Sequence, residues 1–199
     1  LSDGSELRLT ISRYYTPSGR SIQKPYENGL SEYQNEFHER VKHGELFHAD
    51  SIKFNDSLKY QTTKGRTVYG GGGIMPDVFV PVDTTGSSEY YNKIRSLGLM
   101  YRFAFYYTDL NREALEPFKT AADIEGYLDD RDILPQFINY ATSKGVDPDY
   151  DDIHTSEEIL KKTIKAYVAR NLIDNEGFYP IIAEIDHTLQ VAIDTISTL

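Results

Sequence analysis

A chain of 199 residues, 39% hydrophobic and 26% charged, is too apolar for a disordered tail and too polar for a membrane protein, and it is long enough to bury a core. The absence of cysteine excludes a disulfide scaffold, a thiol nucleophile and thiolate metal sites. With 21 Lys/Arg against 31 Asp/Glu the net charge is −10, which argues against a nucleic-acid partner, and no apolar run reaches the ~18 residues of a membrane span.

Near the start, Asp3-Gly4 is a turn signal. Leu7, Leu9 and Ile11 then alternate with polar residues, which predicts a half-buried strand. Thr16-Pro17-Ser18-Gly19 predicts a tight turn, with Pro17 presetting φ and Gly19 closing it. The polar stretch 24–72 holds one or two helical turns between Tyr33 and Val41 and is otherwise irregular or weakly stranded. Val78, Val80 and Val82 alternate again, with Pro81 making that run an edge strand or a strand end.

A change in composition follows near Gly86. Ten of the 14 glycines precede Ser87, and the Lys/Arg and Asp/Glu counts are 10 and 11 before it but 11 and 20 from it onward. Gly-poor sequence with a 3.6-residue period predicts helices. One stripe runs from Tyr90 through Ile94, Leu97 and Phe103 to Tyr107, with an N-cap available just before it. A second runs from Ile133 to Ala141 and is stopped by Gly145. Thr155-Ser156-Glu157-Glu158 caps a third, reaching Leu172, and a fourth extends from about Phe178 to Ile196 with Pro180 in its first turn. The fold class predicted is α+β: a small β-rich segment, 1–86, followed by an all-helical acidic bundle, 87–199.

Residues with chemical potential are few. The run Gly70 to Gly73 lacks the Lys-Ser/Thr of a phosphate loop, and it reads as backbone that passes close to other structure. Asp147, Asp149, Asp151 and Glu158 match positions 1, 3, 5 and 12 of a calcium loop. Position 6 is Asp152 rather than Gly, however, so an acidic segment favouring a helix N-terminus is preferred. His38, His43, His48, His154 and His187 have no metal-ligand spacing. Ser18 lies six residues before Lys24 without a nucleophile motif. No metal and no cofactor is implied.

Two stretches carry a resemblance. The segment from Leu7 to Gln23, containing Arg13-Tyr14-Tyr15-Thr16-Pro17-Ser18-Gly19-Arg20, and the later Gly73-Ile74-Met75-Pro76-Asp77 resemble motifs of the C-terminal processing (tail-specific) peptidases, in the same order. The resemblance covers about a quarter of the chain. It implies the C-terminal portion of a serine endopeptidase that cleaves proteins near their C-termini by a Ser-Lys dyad. The Ser, Lys, an assisting Gln and a PDZ domain would all lie before Leu1, so no catalytic residue is assigned here and the chain alone is expected to be inactive. Segment 24–72 would be an insertion into the protease core. Arg13, Tyr15, Thr16 and Arg20 are the implied substrate-cleft candidates. The implied partners are protein or peptide substrates, and the implied location is the periplasm or cell envelope. The alternative is a non-catalytic helical interaction or oligomerisation module, docking a second copy or an adaptor through the helical half.

Overall fold

The structure, a computed structural model, describes residues 2–24, 29–52, 55–71 and 73–198; Gly72 of the glycine run and residues 25–28 and 53–54 of the expected insertion lie outside it. The chain forms two units, Leu1–Val82 and Asp83–Leu199.

In the first unit the strands do not fall where alternation places them. Residues 7–11 form no strand, with Leu7, Leu9 and Ile11 76%, 74% and 87% exposed. A strand exists only where a neighbour completes its hydrogen bonds, and none of the described residues pairs with this one. The Val78 to Val82 run forms no strand either; its Val82 amide makes a single bond to the Leu46 carbonyl (2.9 Å). The sheet lies instead within the segment read as irregular or weakly stranded. Here β1 (Lys59–Gln61) pairs antiparallel with β2 (Thr67–Tyr69), Tyr60 opposite Val68. The reversal between them is closed by the Gly65 amide on the Thr62 carbonyl (2.9 Å), with Gly65 at φ +79. The helix expected around Tyr33 is longer than one or two turns: α1 covers Gly29–Lys42 and buries no residue. Both predicted turns form. Asp3 Oδ1 accepts from the Ser5 amide (3.0 Å), and the Gly19 amide donates to the Thr16 carbonyl (2.8 Å).

The second unit is helical. The first stripe divides into α2 (Glu89–Ser96) and α3 (Leu99–Leu110), because Gly98 takes φ +63 between them. After α4 (Arg112–Leu115) come α5 (Ala121–Asp129), α6 (Ile133–Ser143), α7 (Tyr150–Thr155), α8 (Glu157–Ile182) and α9 (His187–Ser197). Gly145, at φ +84, ends α6 as its position predicts. Four consecutive residues of α8, Thr163 to Ala166, are buried, so this helix is enclosed on all sides and forms the centre of the unit. Leu160, Ile164 and Val168 pack there among Ile94, Phe103, Leu128 and Phe137.

Helix α8 folds back on itself. Ile173 (φ −136, ψ 27) and Asp174 (φ 55, ψ −140) leave helical geometry, and arms 157–172 and 175–182 lie against each other. The crossing is so close that a Cβ on Gly177 would stand 2.6 Å from the Ala169 carbonyl oxygen. Tyr167 meets Phe178 with ring centroids 5.5 Å apart, and Lys162 reaches Glu184 beyond the end of α8. Pro180 therefore lies in the second turn of its arm, not the first. The expected fourth helix is also interrupted, by a 3-10 turn at Ala183–Ile185 and by non-helical Asp186.

Candidate functional site

In the first unit, Tyr15, Thr16 and Arg20 come together around one turn. The Thr16 amide donates to the Arg20 carbonyl (2.8 Å), the Arg20 amide to Thr16 Oγ1 (3.2 Å), and Tyr15 bridges Ser21. Arg20 Nη1 continues to the Tyr69 carbonyl (3.4 Å), tying the turn to β2. Arg13 is exposed outside this group, and Tyr15 is 58% exposed. Ser18 is occupied by Thr16 Oγ1 (2.9 Å) and Arg20 Nε (3.2 Å). Lys24 is bound elsewhere, to the Tyr33 carbonyl (2.7 Å) and to Glu36. These contacts make Thr16, Ser18 and Arg20 parts of a turn. They place no base beside Ser18.

The glycines beside β2 serve close approach. A Cβ on Gly71 would lie 2.1 Å from Leu58 Cδ1, and one on Gly70 3.0 Å from the Tyr60 ring. The acidic segment is spent on helix ends. Asp149 Oδ1 accepts the Asp151 and Asp152 amides (3.1 Å each) as the N-cap of α7, while Asp152 Oδ2 accepts the Tyr90 amide (2.8 Å) at the start of α2. Asp149, at a calcium-loop ligand position, and Asp152, at the position that departs from that loop, are thus directed at two different helices. Beside them, Ser88 Oγ accepts the Tyr91 amide (3.1 Å) and the buried Ser156 hydroxyl (2.8 Å). Among the described residues no grouping of three His, Asp or Glu is arranged to hold a metal.

Between α5 and α8 lies a charge cluster that sequence reading missed. Lys162 Nζ donates to Glu125 (2.6 Å) and to Glu184, and the nearly buried Lys165 pairs with Asp129 and approaches Glu125 (3.9 Å). Burial pulls the Lys162 ammonium down, but Glu125 and Glu184 outweigh it and hold its pKa above the ordinary lysine range. Every cation here has a carboxylate, so the cluster locks helices together.

Helix α9 has an apolar face that none of the described residues covers. Val191 and Thr195 lie on its half-buried side, while Leu189, Ala192, Ile193 and Ile196 form an exposed stripe at i, i+3, i+4 and i+7. Leu189, Ile193 and Ile196 are 39%, 49% and 72% exposed. The stripe's spacing was legible; that it points to solvent was not. No helix among the described residues is long and apolar enough to cross a membrane.

Set beside known families, residues 90–174 match the model of a family described as Family of unknown function (DUF8443). No curated protein and no solved structure matches the chain. No protease family is detected, which overturns the resemblance to C-terminal processing peptidases. The match lies in the helical unit, outside both motif-bearing stretches, and the first of those stretches lacks the strand expected at 7–11.

Proposed function

We propose that the chain serves as a non-catalytic oligomerisation module whose helical unit pairs with a second copy through α9. The observation that carries this reading is the outward apolar stripe Leu189, Ala192, Ile193 and Ile196, whose spacing suits a helix–helix seam. Charge supports a second copy as the occupant. From Ser87 onward the chain carries 11 Lys/Arg against 20 Asp/Glu, so two copies repel over most of that surface. Helix α9 holds Asp194 as its one acidic residue, so like units meet little repulsion there. Two helices of this length bury less than the ~1,200 Å² at the low end of specific interfaces, so the association is weak and reversible.

Sedimentation velocity over roughly 10 μM to 1 mM tests this. The mass should rise from 22.7 kDa toward twice that value with concentration. Ile193→Glu should hold the chain monomeric, and His187→Glu, on the opposite face, should not. A monomer at every concentration, or pairing indifferent to Ile193→Glu, removes the proposal.

A further inference from the structure

Among the described residues ten glycines adopt positive φ, and Asp174 is the non-glycine that does so. Its combination of φ 55 and ψ −140 belongs to a region that side chains other than glycine's avoid, so the fold in α8 is held under strain. The sequence does not demand the fold. Leu172, Ile173, Asp174, Asn175 and Glu176 include neither Gly nor Pro, and a straight helix through them breaks no backbone rule. What holds the second arm back is its docking: Gly177 on Ala169, Phe178 between Tyr167 and Arg170, Ile181 buried in the core, and Lys162 on Glu184.

We infer that two copies of this chain exchange their C-terminal arms. Ile173 and Asp174 straighten, α8 becomes continuous, and the arm from residue 175 onward enters the socket of the other copy. The occupant follows from the docking itself, because the socket of Ala169, Tyr167 and Lys162 recurs in another copy of this chain. Exchange preserves every arm contact and releases the strained backbone twice, once per copy; short hinges under strain favour this exchange. The inference is independent of α9 pairing, since the hinge and the exposed stripe are separate features.

The test is refolding of the full chain over a range of concentrations, followed by size-exclusion chromatography with light scattering. The expected product is a dimer whose fraction grows with refolding concentration and which persists for hours after dilution. Asp174→Gly removes the strain from the folded-back form. At about tenfold per hinge, it should weaken the dimer about a hundredfold. Asp174→Ala, which tolerates positive φ less well, should strengthen it. The cysteine-free chain allows a direct readout. Lys162→Cys chains co-refolded with Glu184→Cys chains should be joined as a dimer by a short bismaleimide that spans the space left by the two longer side chains, and Ile193→Glu should leave that product intact. Monomer alone at all concentrations, a dimer that ignores both Asp174 variants, or failure of the mixed chains to cross-link would each overturn the exchange.

Discussion

Alanine at position 177 tests the packing of α8 by setting helix propensity against space. In an exposed helix Gly→Ala gains ~1 kcal/mol, because glycine loses the most backbone entropy on folding. At Gly177 the new Cβ would stand 2.6 Å from the Ala169 oxygen, 2.7 Å from the Ala169 carbonyl carbon and 2.7 Å from Ile173 Cγ1. The isoleucine can rotate, but the carbonyl belongs to the backbone of the central helix. Restoring ordinary contact requires the arms to part by roughly 0.8 Å, which also loosens buried Ile181. Overpacking of this kind costs ~1–3 kcal/mol before backbone parting is counted, so the net expectation is a loss of about 1–2 kcal/mol despite the better helix former. Gly126, in α5, is the control: nothing lies within 4 Å of its added Cβ, so Gly126→Ala should gain about 0.5–1 kcal/mol. The assay is urea unfolding followed by far-ultraviolet circular dichroism, comparing midpoints at unchanged slope. If both substitutions move stability in the same direction, the close crossing of the two arms is refuted.

Two further outcomes are expected. Tyr90 is 4% exposed and its hydroxyl has no partner among the described residues, so Tyr90→Phe should be neutral or stabilising by up to ~1 kcal/mol in the same assay; a loss above that would reveal a partner. Burial raises the phenols of Tyr90, Tyr91 and Tyr107, and Lys162, lowered by burial, is raised overall by its carboxylates. A group whose pKa is raised by folding stabilises fully below its unfolded value and loses that contribution as pH rises. The helical unit should therefore weaken from about pH 10 upward, where Tyr90→Phe should blunt the decline; an unfolding midpoint flat to pH 11 would contradict the sign.

The helical unit was legible because a helix satisfies its own backbone within a few residues. The 3.6-residue period found α3, α6 and the first arm of α8, and Gly145 marked a break that the structure uses, whereas the break at Gly98 was read through as one stripe. Short α4, α5 and α7 were passed over, although Thr120, whose side chain accepts the Asp123 amide (3.2 Å), was a readable cap before Ile124 and Leu128. Strands were illegible for the opposite reason. Alternation at Leu7, Leu9 and Ile11 states that a strand would be amphipathic, not that a partner exists, while Lys59–Gln61 and Thr67–Tyr69 pair with little alternation to announce them. The same limit applied to α9. Its period established an apolar face, but coverage of that face depends on neighbours that no local pattern encodes. The fold at Asp174 had no sequence signal, since the residues there are ones a helix accepts.

The location of that fold bears on how the unit is built. The family match covers 90–174 and ends at the strained residue. Within it lie α2 to α7 and the first arm of α8, which supplies Leu160, Ile164 and Val168 to the core. Beyond it lie the second arm, which adds Ile181 to that core with Gly177 buried and Phe178 and Ile182 packed against it, and α9, which remains at the surface. A segment joined through a strained turn gains on release, and exchange lets it do so while keeping its docked contacts. Both proposed modes of association use residues after 174. Assembly, on this reasoning, is driven by this chain's C-terminal arm, with the matched helical core supplying the socket of Lys162, Tyr167 and Ala169 that the arm enters. Variants within 90–172 away from the socket of Lys162, Tyr167 and Ala169 should change stability, whereas variants at Asp174 and along α9 should change the number of chains that associate.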